Sequence, residues 1–228
     1  MARRSSSNRL KMPAIEMNRL GSIALLAALA ILFMPAAGTT GPQGGRQTFN
    51  LIPAESSFWV FVGKAGLFSA LAHDHEIGVK SFRGRITISE RGIGEASLEM
   101  EIDARSLVVL DRKISEADRA KIARSMHEDV LESAKYPQML FKSVSVSDLT
   151  TGSGGEFRFR LSGDLTLHGV TKRVTIPVSA FLAPGQLRAV GKYTLKQSDY
   201  GIKPYSTAGG TIKVKDEVVV NFQIVARS

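Results

Sequence analysis

Apolar and polar side chains alternate with a period of two over most of the chain. Around Gly163–Val178, Leu161, Leu165 and Leu167 fall on one face of a strand, and Ser162, Asp164, Thr166 and His168 on the other. Alternation breaks at Gly169 and resumes with Val174, Ile176 and Val178 against Thr175 and Pro177. Two half-apolar strands joined by a short glycine-containing turn predict a hairpin with one dry and one wet face. The same pattern predicts strands at Phe49–Leu51, Ser56–Gly63, Phe82–Ser89, Ala96–Asp103, Met139–Val146, Glu156–Leu167, Thr171–Leu182, Leu187–Lys196 and Lys213–Ala226, with a turn at Arg91–Gly94. Ala65–Val79 fits neither period well.

Only one stretch has helical spacing. Ser115 precedes Glu116 and Asp118, a capping residue and two acids at the positive helix end. Ile122, Met126 and Val130 then recur every fourth residue, widened by Ala123 and Leu131, until Lys135-Tyr136-Pro137 stops the run. Many consecutive strands, one helix and regular turn signals predict an all-β barrel or sandwich, with the helix stripe packed on one end.

The N-terminal segment differs. Leu20–Met34 is an uncharged apolar run of 15 residues after Arg19, followed by Pro35-Ala36-Ala37-Gly38. It is short of the ~20 residues a spanning helix needs, and has the order of a secretory signal cut near Gly38. Residues 1–38 are therefore expected to be a signal peptide, with translation starting at Met12 or Met17. Thr39–Gln47 is expected to be a flexible leader and 48–228 the folded domain, placed in the periplasm. An uncleaved anchor is the alternative.

The net charge of +9 is unevenly spread: five of 30 basic and one of 21 acidic residues fall in 1–38, leaving 25 and 20, a net of +5. That balance suits weak, transient contact with anionic membrane surfaces. Nucleic acid is not expected, since no cluster interleaves basic and aromatic residues. The absence of cysteine excludes disulfides, thiolate catalysis and Cys-ligated zinc.

Candidate chemistry is sparse. His73-Asp74-His75 would put both imidazoles on one strand face, as contacts to a ligand head group, as metal ligands or as structural hydrogen-bonders. His168, beside Gly169, is expected to hydrogen-bond turn backbone, and His127 to support helix packing. Thr151–Gly155 (T-G-S-G-G) lacks the strand-to-helix context of a nucleophile elbow and reads as a hairpin turn. No cofactor and no resident metal are expected. The remaining feature is the apolar face: Phe58, Val60, Leu98, Met100, Ile102, Phe141, Phe157, Phe159, Leu161, Leu165, Ile176, Val178, Val220 and Phe222 are the candidate lining of a pore. A barrel of about eight strands can be filled by such side chains or can hold one small ligand.

Gly163-x-Leu165-Thr166-Leu167-His168-Gly169-Val170-Thr171-Lys172 resembles the signature of the YceI-like family. Leu131 with Tyr136-Pro137, leading to Phe141-Lys142-Ser143, resembles that family's Leu-x-x-x-x-Tyr-Pro stretch. Asp199-Tyr200-Gly201 resembles its Asp-x-Gly turn, and Gly209-Gly210 with Lys213-x-Lys215-Asp216-Glu217-Val218 resembles the lead into its last strand. Leu71–Ile77 departs from the family pattern. The resemblance implies an eight-stranded antiparallel, lipocalin-like barrel with a helix near the mouth. It also implies non-catalytic binding of a polyisoprenoid or similar long-chain lipid, with a homodimer as one way to shield the mouth. A metal-dependent hydrolase using His73 and His75, and a filled structural barrel, are the alternatives.

Overall fold

Alternation of the kind described above closes on itself in space. The computed structural model describes residues 45–65, 74–207, 209 and 211–228. All of these lie in the compact unit Gln43–Ser228. The expected signal segment and His73 lie outside the described residues.

The strands are β1 (Gln47–Leu51), β2 (Ser57–Ala65), β3 (His75–Val79), β4 (Phe82–Ser89), β5 (Gly92–Asp103) and β6 (Leu107–Val109), followed after helix α1 (Glu116–Ser125) by β7 (Gln138–Thr151), β8 (Glu156–Leu167), β9 (Val170–Ala183), β10 (Gln186–Lys196), β11 (Ser206–Thr207) and β12 (Ile212–Arg227). Every pairing is antiparallel, and the ring runs β1-β4-β5-β7-β8-β9-β10-β12 and back to β1. Closure leaves these eight strands without free edges.

The remaining short strands extend this ring rather than adding to it. β12 pairs with β1 at Asn50↔Arg227 and with β2 from Gln223↔Ser57 onward, so β1 and β2 are one interrupted strand. β3 likewise continues β4, and β6 continues β5, because β3 pairs with both β2 and β6. Pro53 lacks an N–H and sits in the first break, a single 3₁₀ turn over Pro53–Glu55. Serine hydroxyls carry the ladder across these breaks. Ser56 Oγ accepts from Val225 N–H at 3.0 Å and donates to Ile52 O at 2.8 Å. Ser106 Oγ accepts from Ser81 N–H at 2.9 Å and donates to Asp103 O at 2.7 Å.

One end of the barrel is sealed. Phe49, Ile88, Ile93, Ala180, Leu187 and Ala226 are buried beside the β4–β5, β7–β8 and β9–β10 turns. The β4–β5 turn is tighter than expected: β5 already begins at Gly92, whose φ of 87° only glycine adopts cheaply, which lets Ile93 turn inward. The β8–β9 hairpin at the opposite end has His168 and Gly169 as its two central residues, with φ of 49° and 77°, the left-handed pair a tight hairpin requires.

The helix is shorter than its apolar stripe. Ser115 Oγ accepts from Asp118 N–H at 3.0 Å as the expected cap, but the α-helix ends at Ser125 and Met126–Val130 form a π turn closed by Leu131 N–H to Met126 O at 2.9 Å. Met126 N–H still bonds the Ile122 carbonyl and keeps the stripe, Val130 beyond it is turned off the straight line by the π turn, and none of the α1 residues is fully buried. The segment crosses the open end of the barrel as a lid.

Candidate functional site

The barrel interior contains a cavity of about 650 Å³, within the ~300–1,000 Å³ range of small-molecule sites. Inward alternation on every major strand supplies its wall. Thirteen of the fourteen candidate residues line it: Phe58, Val60, Leu98, Met100, Ile102, Phe141, Phe159, Leu161, Leu165, Ile176, Val178, Val220 and Phe222. Phe157 does not. It pairs opposite Ala180 near the sealed end and packs against the buried core instead. A completely filled barrel is excluded by the same cavity.

Two glycines shape this wall. Side chains at Gly163 and Gly191 would collide with the rings of Phe141 and Phe222, which lie across them. Those rings can fold flat against the sheet only because no Cβ stands there. Phe222 also stacks on Phe58 with centroids 5.5 Å apart.

Polar groups gather at the lid end, where the lining includes His75, Asp118, Lys121, Ser125, Tyr136, His168, Gln197, Tyr205 and Lys213. Three histidines fasten the lid there. On β3, His75 Nδ1 donates to Asp111 Oδ2 at 2.6 Å, while the Asp111 carbonyl accepts from Arg119 Nη2 on the helix at 2.8 Å. In the π turn, His127 Nε2 donates to the Leu107 carbonyl of β6 at 3.0 Å, leaving Nδ1 to accept from the Ser133 hydroxyl at 3.0 Å. At the β8–β9 turn, His168 Nε2 donates to Glu132 Oε2 at 2.8 Å and its ring packs on Tyr136 with centroids 4.0 Å apart. The expected backbone bond of His168 is thus replaced by one to a carboxylate, because the left-handed turn aims the ring sideways at the lid. His75 and Asp111 are 36 residues apart in the chain and meet because β3 pairs with β6. Among the described residues no group of three or more histidine, aspartate or glutamate side chains is placed to hold a metal ion.

Tyr193 was missed by the sequence reading, although Leu187, Ala189, Gly191, Tyr193 and Leu195 alternate on β10 and would have placed it inward. It lines the cavity, and burial first, then Asp199, pushes its hydroxyl's pKa up. Tyr200, 2% exposed in the apolar cluster at the same end, is pushed up to about 12 by burial first, then by Tyr193 and Asp199. Both phenols stay protonated at neutral pH.

Comparison with known proteins bears on this arrangement. Residues 49–226 match the YceI-like domain. The chain belongs to the YceI-like family. A UPF0312 protein of Vibrio parahaemolyticus is 34% identical over 96 residues, 42% of this chain and 44% of that protein. One from Shewanella denitrificans is 32% identical over 143 residues, 59% of this chain and 68% of that protein. The chain thus spans less than half the length of the Vibrio relative. Among solved structures, Burkholderia cenocepacia BcnA superposes with a TM-score of 0.59 at 21% identity, over 77% of this chain and 98% of that one. A polyisoprenoid-binding domain from Saccharophagus degradans gives 0.57 at 16%, over 79% and 98%. At these identities the YceI-like chain shares their fold.

Proposed function

We propose that this YceI-like protein binds a polyisoprenoid or similar long-chain lipid in its barrel, without catalysis. The observation that carries this reading is the apolar cavity of about 650 Å³, sealed at one end and lidded at the other. Burying a tail there is favourable by ~0.8 kcal/mol per CH₂ group, and the polar groups at the lid end suit a head group. The description of the Saccharophagus neighbour as polyisoprenoid-binding supports the same ligand class. The basic, apolar, small-residue order of residues 1–38 supports export to the periplasm, where lipid would be exchanged at a membrane surface.

The hydrolase alternative has less support. A catalytic zinc site uses about three protein ligands with an open position, and among the described residues, which do not include His73, no group of three or more histidine, aspartate or glutamate side chains is placed to hold a metal ion. The test of the binding reading is native mass spectrometry of protein purified from its own host, followed by lipid extraction. A co-purifying long-chain lipid is expected. Repeated recovery of empty protein that also fails to take up polyprenol would overturn it.

A further inference from the structure

Tyr193 brings a hydroxyl into the cavity wall, where its ring packs against two apolar clusters. Tyr193 sits on β10 opposite Val220 of β12, inward by strand alternation, and lines the cavity below the polar rim. Its hydroxyl makes no hydrogen bond among the described residues. Among those residues, however, no buried side-chain nitrogen or oxygen is left without a partner. The hydroxyl must therefore reach open space, and the space it faces is the cavity. An unpaired donor in a wall otherwise built from Val60, Leu165, Val220 and Phe222 costs free energy unless an acceptor meets it.

We propose that Tyr193 is the polar anchor of the bound lipid, donating its O–H to an uncharged oxygen, a hydroxyl or carbonyl, carried at the head of the tail. This rests on the lipid-binding reading above and adds the chemical class of the head. The surroundings argue against an anionic head at this level. Asp199 acts electrostatically on Tyr193 and on its neighbour Tyr200, so a phosphate at the hydroxyl would meet negative charge in a poorly solvated setting. The cavity's lysines, Lys121 and Lys213, are exposed at the rim, where Asp118 accompanies them. The tail would run from Tyr193 toward Phe58, Leu98 and Ile86, where the wall is apolar.

The test titrates the wild type and Tyr193→Phe with three probes by native mass spectrometry: a long-chain polyprenol, its phosphate monoester, and the hydrocarbon of the same chain length. Wild type is expected to hold the polyprenol tighter than the other two. Tyr193→Phe is expected to weaken polyprenol binding about three- to tenfold, the worth of one hydrogen bond, with hydrocarbon binding unchanged. The hydrocarbon arm also confirms that the variant keeps its cavity. Unchanged polyprenol binding in the variant, equal weakening of polyprenol and hydrocarbon, or a wild-type preference for the phosphate would each overturn the assignment of Tyr193 alone. Failure of wild type to bind any of the three would overturn the lipid-binding reading, and this inference with it.

Discussion

His168 and Glu132, 36 residues apart in the chain, meet through a 2.8 Å hydrogen bond while each holds a left-handed backbone, with φ of 49° and 43°. Neither is glycine, so each conformation costs about 1 kcal/mol or more. The hydrogen bond and the packing of His168 on Tyr136 offset part of that cost and tie the lid's exit to the β8–β9 turn. A double-mutant cycle with Glu132→Ala and His168→Asn should return a coupling of about 1 kcal/mol in urea unfolding. Additive losses would show that the two residues act separately.

His127 fastens the other side of the lid. His127→Ala leaves the Leu107 carbonyl and the Ser133 hydroxyl without their ring partner, a loss of about 1–3 kcal/mol. Hydrogen exchange should quicken over residues 126–137 while β8 and β9 stay protected. Exchange that quickens equally throughout the barrel would contradict a local role.

Gly191 holds a space for an aromatic ring. Gly191→Ala should displace Phe222 from its stack on Phe58, costing about 1–3 kcal/mol as overpacking does. The displaced ring has the cavity to move into, so lipid uptake should fall along with the urea midpoint. A variant as stable and as capacious as wild type would show that the ring has another place to go.

Filling the cavity should separate binding from folding. Ala189 lines the wall on β10, and Ala189→Trp is expected to abolish uptake of long-chain lipid while the far-ultraviolet spectrum and cooperative unfolding are retained. Undiminished uptake would place the ligand elsewhere.

Acid should loosen the turn between β10 and β12. Asp216 accepts from the Ser198 hydroxyl at 2.6 Å and from its N–H at 2.8 Å, and these bonds, the hydroxyl's first, hold its carboxyl below the ordinary value of 3.8. A depressed folded pKa contributes stability that is complete above the unfolded value and is lost as pH falls through the folded one. The Asp216-dependent stability should therefore be constant at neutral pH and disappear below about pH 4, the ordinary carboxylate range. In Asp216→Asn the loss should already be present at neutral pH, with a shallower acid limb in pH-dependent unfolding. An unchanged acid limb would assign the effect to other carboxylates.

Much of this protein could be read from its residues alone. Period-two alternation located the major strands, since a strand facing an apolar interior must put every second side chain there. The motif around Gly163–Lys172 pointed to the family, and Ser115 with Glu116 and Asp118 marked the helix start. Pairing between distant strands was beyond that reading. The joining of β1 to β2 and β5 to β6 into interrupted strands, the departure of Phe157 from the cavity wall, and the meetings of His75 with Asp111 and of His168 with Glu132 all depend on register between segments far apart in the chain. Alternation says which side chains face inward. Whether the interior they face is filled or hollow depends on how rings such as Phe141 and Phe222 lie over Gly163 and Gly191, and only the closed barrel decides that.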